Sequence, residues 1–125
     1  MFALIFPTNY TFPVNLLIVS LVFIVLDFLV GLIKAFSTTG FKSMKMREGL
    51  FHKLGEILCV SFGVVCEICF PLVGITISLP IVSTICIYIV LMETGSIIEN
   101  LAVISPNIKL MLGKVFGAYK NEDEE

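Results

Sequence analysis

Residues 14–36 read VNLLIVSLVFIVLDFLVGLIKAF, an apolar run whose only charges are Asp27 and Lys34. A helix needs roughly 20 apolar residues to cross the hydrocarbon of a bilayer, so this stretch alone points away from a soluble fold. Two more follow, residues 54–73 with Glu56 and Glu67 and residues 77–98 with Glu93. An ionised carboxylate at mid-bilayer costs about 2.5–3.5 kcal/mol on insertion scales. Such groups must therefore face water, another helix or a second copy of the chain. The expected fold is an all-α integral membrane protein with three transmembrane helices plus a short C-terminal amphipathic helix.

Composition agrees with that reading. Of the 125 residues 58% are hydrophobic and only 14% charged, with a mean hydropathy of +1.04, whereas soluble domains are about a quarter charged. A single membrane domain is expected over residues 1–125. The net charge of −2 is unevenly spread, with cations gathered in 34–53 and 109–120. Lys42, Lys45, Arg47 and Lys53 fall in what reads as a basic loop, 37–53. Positive residues in short loops stay cytoplasmic, which predicts an N-out, C-in chain. Residues 1–13 lack the basic start of a secretory signal. Phe2, Phe6, Tyr10 and Phe12 there resemble aromatic anchors at the outer interface.

The polar residues inside the spans form seams. Ser20, Asp27 and Lys34 recur every seven residues, with Gly31 on the same face. Asp27 has no cation near it along its own helix. In the second span Glu56, Gly63 and Glu67 share a stripe, and Gly permits close approach of another backbone. Glu56 lies within a turn of Lys53, whereas Glu67 lacks a cation along its helix. In the third, Cys86, Glu93, Ser96 and Asn100 align, with Glu99 on a neighbouring face. Asp27, Gly31, Lys34, Gly63, Glu67, Glu93, Ser96, Glu99 and Asn100 are thus the candidate oligomer or pore-lining residues.

Beyond Ser105-Pro106-Asn107, which ends the third helix, Ile108, Met111, Leu112, Val115, Phe116 and Tyr119 recur at three and four. That spacing predicts an amphipathic helix over 107–120 lying on the inner leaflet, followed by an acidic tail, 121–125. Cys59, Cys66, Cys69 and Cys86 read as small packing residues, although Cys66 and Cys69 form a CxxC. A single His52 and the absence of nucleophile or phosphate-loop motifs argue against an enzyme, a metal site or any cofactor, and no nucleic-acid partner is expected.

Two segments resemble the toxin-secretion/phage-lysis holin family. Asp27, Gly31, Lys34 and Ala35 match its D-x-x-x-G-x-x-K-A opening, followed at the family's spacing by Ser43, Gly49-Leu50 and Lys53. Glu93-Thr94-Gly95-Ser96-Ile97-Ile98-Glu99-Asn100 matches its E-x-x-S-I-x-E-N run, with Pro106 after it. Glu67 stands where the family often has Asp, and the acidic tail departs from the commonly basic one. The resemblance implies a phage protein that oligomerises in the host inner membrane and opens lesions at a set time. The lesions dissipate the membrane potential and release an endolysin, or in some relatives a toxin. Its partners would be the lipid bilayer, further copies of itself, the endolysin and an antiholin. The residues by themselves also admit a small proton-coupled transporter, or an antiholin or membrane assembly factor.

Overall fold

The computed structural model describes residues 12–38 and 42–116. They form four helices, α1 (Val14–Ser37), α2 (Ser43–Leu72), α3 (Ile81–Ile104) and α4 (Pro106–Phe116). No strand occurs among these residues. The first three are long and apolar enough to cross a membrane. At 1.5 Å per residue α1 and α3 are each about 36 Å long and α2 about 45 Å, against about 30 Å of hydrocarbon. The surplus in α2 lies at its N-terminus. Where the sequence suggested a loop over 37–53, helix runs without a break from Ser43.

Helix ends follow local chemistry. Pro80 is the residue before α3, whose first turn leaves amides without partners. Ser105, extended as a residue before proline must be, separates α3 from α4. The third helix therefore starts four residues later than its apolar run suggested and carries Glu99 and Asn100 inside it. Pro71 ends α2 within a turn, and Gly74, at φ +81°, turns the chain toward α3. The interfacial segment, apart from Phe12 and Pro13, and the acidic tail lie outside the described residues, as do residues 117–120 of the amphipathic stretch.

The bundle is inverted relative to a soluble protein. Buried positions are few and partly polar, namely Ser20, Ile24, Asp27 and Val30 on α1, Gly63 and Cys66 on α2, and Val82, Cys86, Ile89, Glu93 and Ile97 on α3. Large apolar side chains such as Leu21, Phe62 and Leu91 are exposed. An apolar exterior around a polar seam is stable only where the solvent is itself apolar. α1 and α3 run parallel and pack along their length, with Ser20 on Cys86 and Lys34 on Asn100 at a constant separation of 66 residues. α2 runs antiparallel to both, touches α3 less, and touches α1 least.

Candidate functional site: a charge cluster shared by three helices

Asp27, Lys53 and Glu93 lie at the same level, each about 15 Å from the end of the bundle where α1 passes into α2. Lys53 Nζ is 2.7 Å from Asp27 Oδ2 and 3.5 Å from Glu56 Oε2, and it donates a hydrogen bond to Glu93 Oε2. The four side chains retain between 3% and 12% of their exposure. One ammonium thus ties carboxylates from all three spanning helices.

Lys53 is the residue that sequence reading misplaced. It was expected to mark the cytoplasmic loop as a topology determinant. Instead the continuous helix from Ser43 carries it into the bundle, and Asp27 pairs with this cation of α2 rather than with Lys34 of its own helix. The signal was present as spacing. Met46, Gly49, Lys53, Glu56, Val60, Gly63 and Glu67 recur at alternating three and four, one helical stripe that runs straight through the supposed loop boundary.

Other candidate residues extend the seam. Asn100 Nδ2 donates to Asp27 Oδ1 at 3.4 Å, and its Oδ1 accepts from Lys34 Nζ at 3.3 Å. Gly31 lies beside this contact, and a Cβ there would sit at ordinary van der Waals distance, 3.8 Å, from Asn100 Nδ2. Gly63 is tighter. A Cβ there would meet Ile85 Cδ1 at 2.6 Å, so α2 and α3 touch backbone to side chain at this point. Glu67 does not join the charge cluster. Its carboxylate accepts the Val82 amide at 3.3 Å, capping α3, whose own N-cap is a proline without a side-chain bond. Glu99 is exposed on the outer face of α3. Lys42, Lys45 and Arg47 are exposed on the N-terminal arm of α2.

Two cavities flank this arm, of about 260 Å³ and 420 Å³, and both are lined by Asp27, Lys45, Gly49 and Lys53. The larger also reaches Glu93 and Ser96. Three carboxylates share one ammonium, and these openings give water a route to the cluster. Glu56 Oε2 is buried without a hydrogen bond, and Glu56 Oε1 lies 3.4 Å from the exposed His52 Nε2. His52, Glu56 and Glu93 place ligand atoms within 4.8 Å of one another. Lys53 already supplies positive charge to both carboxylates. Cys66 is buried and Cys69 exposed, and none of the four cysteines forms a disulfide.

No curated protein and no solved structure matches the chain. The model of the bacteriophage holin family matches residues 8–121, from before α1 to beyond α4, and takes in every member of the cluster. With three helices able to span a bilayer and a polar seam closed inside them, the chain is a multi-pass membrane protein and belongs to the bacteriophage holin family.

Proposed function

We propose that this chain accumulates in the bacterial inner membrane, N-out and C-in, self-associates there, and opens lesions at a set time that let an endolysin reach the cell wall. The observation that carries this reading is the Lys53 cluster. It satisfies Asp27 and Glu93 within one copy, so single copies can collect without exposing charge to lipid.

Opening follows from displacing α2, the spanning helix held least by its neighbours. Once α2 swings away, Asp27, Glu93, Ser96 and Asn100 on the α1–α3 pair and Lys53 and Glu56 on α2 need new partners. Neighbouring copies and water supply them together, because water is tolerated only where many polar faces meet. The transition is therefore cooperative in copy number. The membrane potential bears on it as well, since a charge crossing the whole field is worth about 2.3 kcal/mol per 100 mV.

The test is inducible expression beside an endolysin that lacks an export signal, with turbidity and membrane potential followed together. A lag, abrupt depolarisation and endolysin-dependent lysis are expected. Gradual toxicity, or none, with the protein in the membrane rejects lesion formation and leaves an antiholin or transporter. Asp27→Asn, which weakens one arm of the cluster, should shift the time of lysis at equal protein level. Unchanged timing would remove Asp27 from the mechanism.

A further inference from the structure

The smaller cavity, between α1 and the N-terminal arm of α2, has an unusual wall. It carries Lys34, Lys42, Lys45 and Lys53 against a single carboxylate, Asp27, and that carboxylate is already paired with Lys53. Lys42 and Lys45 are exposed, and neither they nor Lys34 join an ion pair among the described residues. Lys34 donates only to the neutral Asn100 amide. Three cations therefore border one space without a counter-charge.

The backbone adds to the imbalance. α2 starts at this wall with Lys42 as its N-cap, without a side-chain cap and without an acidic residue in its first turn. The first amides of a helix lack intrahelical acceptors and form the positive end of its dipole. Lysines are the wrong sign for that position, and a bound anion would satisfy the amides and the ammonium groups together. Besides Thr38 and Asn100, the wall has an apolar part made by Phe28, Leu32 and Ala35 of α1 and Met46 of α2. Unpaired cations beside apolar side chains in one cavity suit a molecule that is anionic at one end and greasy at the other. Basic pockets between spanning helices are where anionic headgroups bind.

We propose that this cavity binds the phosphate of an anionic phospholipid. The headgroup lies among Lys34, Lys42 and Lys45, and the start of an acyl chain runs along Phe28 and Leu32. A free phosphate shares the headgroup chemistry but would leave Phe28, Leu32 and Met46 without an apolar partner in the cavity. A lipid wedged here braces α2 against α1, the pair of spanning helices that touch least.

The purified full-length chain in neutral detergent is titrated separately with phosphatidylglycerol, phosphatidylcholine and inorganic phosphate, and retained ligand is read by native mass spectrometry. Retention of phosphatidylglycerol over phosphatidylcholine is expected. The double variant Lys42→Gln/Lys45→Gln should weaken that retention roughly 30-fold, the effect of two cations near an anionic headgroup. Lys109→Gln/Lys114→Gln on α4 should change it far less. Both lysines of the first variant are exposed and outside the ion cluster, so its helical circular dichroism should match the parent. Equal retention of the two lipids overturns the site, as does undiminished retention by Lys42→Gln/Lys45→Gln. Phosphate retained without phosphatidylglycerol, and lost in the same variant, keeps an anion site but overturns the lipid as its occupant.

Discussion

An ammonium ion held between carboxylates of two other helices is stabilised only while all three helices stay together. Removing one partner of a buried ion pair leaves an uncompensated charge and costs about 3–5 kcal/mol, whereas removing both partners costs far less. Lys53→Gln should therefore lower the accumulated protein or bring lysis forward. Adding Asp27→Asn to it should recover part of the loss. A double-mutant cycle on thermal unfolding in detergent measures the coupling, and strictly additive losses would show that the Lys53–Asp27 contact does not hold the closed bundle. Lys53→Arg keeps the charge but brings a planar fork into a space shaped for a point charge, so it should fall between the parent and Lys53→Gln.

At the scale of the element, α2 meets α3 beyond the Lys53–Glu93 contact at one glycine and one cap. Gly63→Ala would place a methyl 2.6 Å from Ile85 Cδ1, and overpacking of this kind costs about 1–3 kcal/mol. Ile85→Ala removes the obstructing atom, so the Gly63→Ala/Ile85→Ala pair should melt closer to Ile85→Ala alone than additivity allows. Gly31→Ala, with its nearest neighbour at 3.8 Å, should melt near the parent temperature. Glu67→Gln keeps an acceptor for the Val82 amide, while Glu67→Ala loses it, at about 0.5–2 kcal/mol for a helix cap. The same melting experiment separates these variants.

These elements also mark how far the sequence could be read. The three spans, the end of α3 before Pro106 and the polar faces with Asp27 and Glu93 follow from hydropathy, proline and helical spacing. The reach of α2 back to Ser43 did not, because Lys42, Lys45, Arg47 and Lys53 looked like a charged loop when weighed by composition rather than by face. Glu67 could not be assigned to the start of α3 either. That contact depends on how the turn at Gly74 folds the two helices together, which no periodicity records.

On the scale of the molecule, the parallel α1–α3 pair forms a unit to which α2 is attached mainly by the cluster and by Gly63. Ser20 Oγ lies 3.7 Å from Cys86 Sγ, so Ser20→Cys should cross-link α1 to α3 under oxidation. In a background where Cys59, Cys66 and Cys69 are replaced, this tether should leave lysis on schedule under the proposed opening by departure of α2. Lysis that stops on oxidation and resumes on reduction would show that α1 and α3 must themselves separate.

The order of helices along the chain adds a consequence for synthesis. α1 leaves the ribosome with Asp27 bare, and its side-by-side partner α3, with Asn100 and Glu93, is made last. The cation that pairs with Asp27 in the fold is Lys53, which arrives with the N-terminal half of α2. A translocon that released α1 alone would hand lipid a naked carboxylate. Retaining α1 until α2 follows lets the two partition as a hairpin with their charges already paired. Biogenesis should thus show α1 and α2 entering the bilayer as one unit, with α3 docking afterwards onto a seam already neutralised.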